Sequence, residues 1–184
     1  MAPVNILLVS DSHGDRESLA YLKELYQDYD YLIHLGDSEM RTAELEGYLA
    51  VKGNHDSLAD ADMPELMILE VNGHRILVCH GHKEFIQYFK YAAMLEHAKR
   101  ENCDTVFFGH VHVYQDTVQQ GIRLLNPGSV YHNRDGTHPS YMLVKVDEEG
   151  IHAERMRYKS PSRQNEKPGW LERFLEKLAG RPID

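Results

Sequence analysis

Twelve histidines occur in this 184-residue chain, and several stand beside aspartate, asparagine or glycine in short clusters. Asp11-x-His13, Gly36-Asp37, Gly53-Asn54-His55-Asp56, His80-Gly81-His82 and Gly109-His110-x-His112 are five such clusters. Oxygen and imidazole donors without thiolates suit borderline or hard divalent cations, and so many donors converging on one edge point to two ions. Side chains at i and i+2 of an extended segment face the same way. Asp11 with His13, and His110 with His112, therefore each offer two donors on one side. The interspersed glycines permit close backbone approach where a chain turns around an ion. One cluster alone means little, because an Asp after a strand is most often a cap or turn residue. Five in the same setting carry weight.

That setting is the end of an apolar run. Val4–Val9, Tyr31–Leu35, Tyr48–Val51, Arg75–Cys79 and Thr105–Phe108 are short, rich in β-branched residues and without strict alternation, as expected of strands buried on both faces. Between the first two runs, Asp15 to Asp28 reads as a helix with Asp15 as N-cap and an apolar face of Leu19, Leu22, Leu25 and Tyr26. Glu84 to Arg100 reads as a second helix, with Tyr88, Ala92, Leu95 and Ala98 as its stripe. Alternating strands and helices indicate an α/β domain, whose ligand site lies at the carboxyl ends of the strands. Three hairpins are also expected. Leu66–Val71 turns through Asn72-Gly73 into His74–Cys79, Tyr141–Val146 turns through residues 147–150 into Ile151–Tyr158, and Gln115–Val118 returns through Ile122–Leu125. The expected fold is two packed mixed β-sheets, a β-sandwich, flanked by helices.

Composition narrows the partners. Lys and Arg number 20 against 29 Asp and Glu, a formal charge of −9, which disfavours a nucleic acid held through its phosphates. The 42% hydrophobic and 27% charged residues are those of a globular chain. No apolar stretch approaches the roughly 20 residues of a membrane span, and the first residues lack a cleavable leader pattern. With only Cys79 and Cys103, both expected to be packing residues, a reducing cytoplasmic location is expected. One domain is expected over residues 1–159. Residues 160–184 read as a linker and a short amphipathic helix bearing Leu171, Phe174, Leu175 and Leu178, docked on the domain or joining two copies in a homo-oligomer. His34 is expected in the core, and His74, His97, His138 and His152 in solvent. Arg155 and Arg157 are expected on one solvent-facing side of a strand.

The ordered set of clusters resembles the calcineurin-like metallophosphoesterases, and Asn126-Pro-Gly-Ser129 with the small size resembles their compact bacterial and archaeal phosphodiesterase branch. The resemblance implies that Asp11, His13 and His112 hold one ion, that Asn54, His80 and His110 hold a second, and that Asp37 bridges them. It implies manganese first, then iron, zinc or nickel, and a small-molecule phosphate ester as substrate. Two divalent ions clamp a phosphate and activate water at neutral pH. Against their four positive charges Asp11 and Asp37 bring two negative ones, leaving a site that attracts anions within an acidic protein. His55, next to Asn54, is then the catalytic group, donating a proton to the leaving oxygen or stabilising charge on the phosphoryl group. Larger relatives carry Gly-Asp-x-x-Asp-Arg-Gly where this chain has Gly36-Asp37-Ser-Glu39-Met-Arg41, so the second carboxylate and the Arg are displaced and a phosphate-binding role for Arg41 stays open. Roles for His82, His132 and Arg134 stay open. The expected activity is phosphodiester hydrolysis; a phosphomonoesterase, a nuclease and a non-catalytic interaction scaffold of the same fold are the alternatives.

Overall fold

In a computed structural model, residues 1–56, 62–84 and 91–160 are described. Along the chain run β1 (Val4–Val9), α1 (Arg16–Leu25), β2 (Tyr31–His34), a 3₁₀ turn (Thr42–Leu45), β3 (Leu49–Ala50), β4 (Leu66–Val71) and β5 (His74–Cys79). They are followed by α2 (Ala92–Arg100), β6 (Thr105–Phe107), β7 (Tyr114–Gln119), β8 (Ile122–Pro127), β9 (Ser140–Asp147) and β10 (Gly150–Arg157). Two five-stranded sheets result, ordered β10-β9-β1-β2-β3 and β4-β5-β6-β8-β7. In the first, β1, β2 and β3 are parallel and β9 is antiparallel to both neighbours. In the second, β5, β6 and β8 are parallel, with β4 and β7 antiparallel at the edges.

The apolar runs fail to alternate because the parallel strands are covered twice. Ile6 and Leu8 of β1 pack between the sheets with Ile33, Ile76, Val78, Phe107 and Leu125. Leu7 and Val9, one residue out of phase, face α1 with Leu19, Leu22 and Leu32. Across the molecule, Leu77, Val106 and Phe108 pack beneath Met94, Leu95 and Ala98 of α2. The layers therefore run helix, sheet, sheet, helix, and each fully buried Leu or Ile contributes about 1.5–3 kcal/mol.

Asp15 caps α1 as its sequence requires, its carboxylate accepting from the Ser18 amide at 3.0 Å. The apolar face of that helix differs at its end. Leu25 is 52% exposed, while the Tyr26 hydroxyl meets that of Tyr141 at 2.8 Å. The helix stops there, and the larger ring takes the inward position. In the second helix Glu84 stands in a turn, Ala92 is exposed, and Met94 joins Leu95 and Ala98 inside. Tyr88 lies outside the described residues, as do Leu171, Phe174, Leu175 and Leu178 of the expected tail helix. His97 is partly buried with Nδ1 3.5 Å from Glu84 rather than in solvent. Arg155 also departs from expectation: its guanidinium lies over the Tyr114 ring, 4.8 Å from the centroid, and links the two sheets. Arg157 is exposed. The third hairpin is longer than its sequence signal, because β8 continues to Pro127 and pairs in parallel with β6. Six parallel strand ends, not five, therefore face one edge. Cys79 and Cys103 are buried and unbridged.

Candidate metal centre

Each parallel strand ends in a loop that turns back on its neighbour. The Asp11 amide donates to Gly36 O at 3.1 Å, His13 N to Asp37 O at 3.0 Å, and Gly109 N to His80 O at 3.1 Å. These bonds join neighbouring loops within each sheet, while His80 Nδ1 to Leu35 O at 2.7 Å and His110 N to Asp11 Oδ2 at 3.1 Å bring the carboxyl ends of the two sheets together. Two donor clusters at these strand ends contain a buried aspartate, Asp11 with His13 and His112, and Asp37 with His80 and His110, and a more exposed third joins His13 to Glu39 and His55; within each, the atoms lie within 4.8 Å of one another. Asp11, Asp37, His80 and His112 are buried, and His13 and His110 are partly so. Asn54 and His55 are exposed on the loop after β3. The His55 amide donates to Asp37 Oδ1 at 2.7 Å, tying that loop to the second cluster. The His55 ring reaches the first: its centroid is 5.3 Å from that of His13.

Proton positions in these imidazoles follow from their partners. His80 Nδ1 is 2.7 Å from Leu35 O, His112 Nδ1 is 2.9 Å from His132 O, and His13 Nδ1 is 2.8 Å from Glu39 Oε1. Each partner only accepts, so each Nδ1 carries a proton and Nε2 is the nitrogen a neutral ring offers to a metal. Those Nε2 atoms point at carboxylates or at one another. His80 Nε2 faces Asp37 Oδ2 at 3.3 Å, and His112 Nε2 faces Asp11 Oδ1 at 3.1 Å and His13 Nε2 at 3.3 Å. Asp11 Oδ1 and His80 Nε2 are buried without a hydrogen-bond partner among the described residues. Two buried carboxylates with three imidazoles turned towards them favour positive charge at this point, supplied by protons on the rings or by a metal ion between the donors. The donor set fits divalent ions of the borderline class.

The fields in the site agree. Burial would push the Asp11 carboxyl up, but its bond to His112 and the nearby His80 outweigh that and hold it below the usual carboxylate range. Asp37 is likewise lowered, by His80 and the His55 amide against burial. Burial pulls His80 down, yet Asp37 and Asp11 outweigh it and raise its pKa, as carboxylates that attract a proton also attract a metal. His110, desolvated and beside His80, falls to about 4.

Backbone strain accompanies the cluster. Asp11 (φ 54), His13 (φ 45), Asp37 (φ 54), His110 (φ 69) and His112 (φ 54) all occupy the left-handed region. Such a conformation costs on the order of 1–3 kcal/mol per non-glycine residue and persists where the surroundings enforce it. Three glycines of the site are required by contact: a Cβ on Gly36 would collide with His80 and Gly53 N, one on Gly53 with Asp37, and one on Gly109 with the Ser10 hydroxyl.

Several supporting residues were not assigned a role from sequence. Buried Asp56 accepts from Asp37 N at 2.8 Å, Gly53 N at 2.7 Å, Ser38 Oγ at 2.9 Å and Glu39 N at 2.7 Å, stitching the β2 and β3 loops. From the sixth strand end, Asn126 donates to Gly109 O at 2.9 Å and Ser129 Oγ to Asp11 O at 2.8 Å. The signal for these was Asn126-Pro-Gly-Ser129, a turn motif at a strand end. His34, in the core as expected, accepts from Gly36 N at 3.2 Å and meets Ser12 Oγ at 3.0 Å. The His82 ring lies 5.4 Å from His80, with its Nδ1 buried and unpartnered among the described residues. Arg41 lines a cleft of about 630 Å³ beside His55, together with Arg16, Glu39 and Glu44. His132 and Arg134 are exposed on the loop after β8.

Comparison with known proteins agrees with this architecture. The chain is 33% identical over 147 residues, 78% of its length and 85% of the relative's, to a probable metallophosphoesterase of Bacillus subtilis, YsnB. A crystal structure of a Streptococcus pneumoniae protein described as a predicted phosphoesterase superposes with a TM-score of 0.78 at 31% identity, covering 85% of this chain and 91% of that one. A Vps29 variant of Entamoeba histolytica shares the fold alone, with a TM-score of 0.63 at 20% identity over 85% of this chain and all of that one. Residues 4–149 match the calcineurin-like phosphoesterase superfamily domain, and the chain belongs to that family of metal-dependent phosphoesterases.

Proposed function

We propose that this protein hydrolyses phosphodiester bonds with two divalent ions, one held by Asp11, His13 and His112 and the other by Asn54, His80 and His110, with Asp37 between them. The observation that carries the reading is the convergence of imidazole Nε2 atoms and carboxylates, with Asp11 Oδ1 and His80 Nε2 buried without a hydrogen-bond partner among the described residues. When bound, the ions would supply Lewis acidity and activated water. The protein's own part is to orient the imidazoles through Leu35, His132 and Glu39, and to hold one carboxylate in each donor cluster. Exposed His55 is placed to donate a proton to the leaving oxygen, with Nδ1 3.9 Å from Glu39. No described helix is long and apolar enough to cross a membrane.

The test is elemental analysis and turnover of metal-depleted protein resupplied with manganese, iron, zinc or nickel, against phosphodiesters and phosphomonoesters. Two ions per chain and faster diester cleavage support the reading. One ion at saturation, or no ester cleaved with any metal, would overturn it and leave the scaffold alternative. His55→Ala should retain both metals and lose about 10²–10⁴-fold in kcat on alkyl leaving groups, with a smaller loss on nitrophenyl esters. Equal losses would mean that His55 stabilises phosphoryl charge instead.

A further inference from the structure

One side chain beside the metal centre has no part in the hydrolytic reading. Tyr131 follows β8, is 59% exposed, and has its ring 6.0 Å from that of His13, centroid to centroid. Single exposed apolar residues are ordinary on a protein surface. Leu25 at the end of α1, Leu49 on β3 and Val118 on β7 are of that kind. Tyr131 differs in how it is held. Its amide donates to Ser129 Oγ at 3.0 Å, and that hydroxyl donates to the backbone oxygen of Asp11 at 2.8 Å. The next residue, His132, accepts from His112 Nδ1 at 2.9 Å, and Arg134 N donates to His112 O at 2.9 Å. The backbone on both sides of Tyr131 is thus fastened to residues of the same donor cluster. Asn133, buried at the base of the loop, accepts from Ser129 N at 2.7 Å and donates to His138 O at 2.6 Å, closing it from beneath. The backbone that carries this open aromatic ring is therefore set at a fixed position relative to the phosphate site, so no loop has to be ordered when a ligand arrives.

We infer that Tyr131 is a stacking platform for a planar aromatic group adjoining the phosphate, so that the preferred esters carry a nucleoside or an aryl group rather than an alkyl chain. The inference rests on the phosphoesterase reading of the adjacent site. Base–aromatic stacking is sequence-tolerant and strong enough to determine preference among small substrates. The net charge of −9 opposes a long polyanion, which leaves small esters as the fitting class.

The test is equilibrium binding to the full-length, manganese-loaded protein, using inorganic phosphate, ribose 5-phosphate, adenosine 5′-monophosphate and phenyl phosphate. Adenosine monophosphate or phenyl phosphate should bind more tightly than ribose phosphate and inorganic phosphate, and whichever gains more identifies the source of the aromatic group. Tyr131→Ala should remove that advantage, a loss of roughly 5- to 150-fold for one stacked ring. Its phosphate affinity and metal content should stay within about two-fold, and Tyr131→Phe should keep the advantage. Equal weakening of all four ligands would make Tyr131 a support for His13 and overturn the inference, as would aromatic ligands binding no better than ribose phosphate. If no ester is hydrolysed and yet aromatic binding still depends on Tyr131, the hydrolase reading fails while the subsite stands. Hydrolysis with no Tyr131 dependence gives the reverse.

Discussion

Asp56 is the residue on which the second donor cluster hangs. Its two oxygens accept four hydrogen bonds, three from backbone amides, so an amide in its place would turn an NH2 group against donors. Asp56→Asn should cost roughly 2–4 kcal/mol of stability and lower the metal content by about one ion, because Asp37 loses its anchor. Unchanged metal stoichiometry would show that Asp37 is held by other means. His34 leads to a pH prediction. Fully buried, it titrates at about 4 rather than 6.5, chiefly because burial disfavours its charged form. The unfolded chain takes up a proton below 6.5 that the folded one refuses, so the contribution is whole above that pH and is lost as pH falls towards 4. The loss reaches about 3 kcal/mol at 1.36 kcal/mol per unit. Urea unfolding of metal-free wild type and His34→Gln from pH 8 to 4.5 should show the steeper decline in the wild type. Parallel curves would contradict this role.

Elements carry the donors to the edge, and the tight turn at the opposite end of β5 aligns the sheets. Asn72 (φ 48) and Gly73 (φ 85) form the two-residue connection expected of an Asn-Gly hairpin. The Asn72 amide donates to Ala2 O and Val146 O, each at 2.9 Å, fastening the second sheet to the first. Asn72→Ala removes both bonds and the tolerance for positive φ, and should cost about 1–3 kcal/mol while leaving metal affinity unchanged. Weaker metal binding would mean that sheet alignment sets the site. This turn was legible in the sequence because a hairpin is local, and the strand runs were legible because double burial writes itself as unbroken apolar residues. The candidate ligands were legible as types and spacings for the same reason. Less local features were not. The left-handed backbone at Asp11, His13, Asp37, His110 and His112 is imposed by loops crossing between strands, and nothing in an Asp or a His announces it. The parallel pairing of β8 with β6 was hidden because its hairpin with β7 explained the same residues. Asp56 and Tyr131 acquire their roles from contacts with loops distant in sequence, so adjacent residues could not disclose them.

At the scale of the whole molecule, the candidate ligands run from Asp11 to His112 and their supporting residues end by Arg134, so the described residues after β9 serve the fold rather than the site. β10 completes the first sheet through its full register with β9. Tyr158 closes it, 6% exposed in the cluster beside α1, with its amide donating to Pro139 O at 2.8 Å. A chain ending at Ser160 therefore retains the buried residues of both sheets and every contact assigned to the donor clusters. Such a truncation should bind metal and turn over phosphodiesters within about two-fold of the full chain. The removed segment holds the apolar Leu171, Phe174, Leu175 and Leu178, whose burial is worth about 1.5–3 kcal/mol each where it is complete. If they pack on the domain, truncation lowers the unfolding midpoint of a protein whose mass in solution per chain is otherwise unchanged. If they pack on a second copy, light scattering shows a dimer for the full chain and a monomer for the truncated one. Loss of turnover with folding and metal content intact would place the tail in the active site and overturn the division at residue 159.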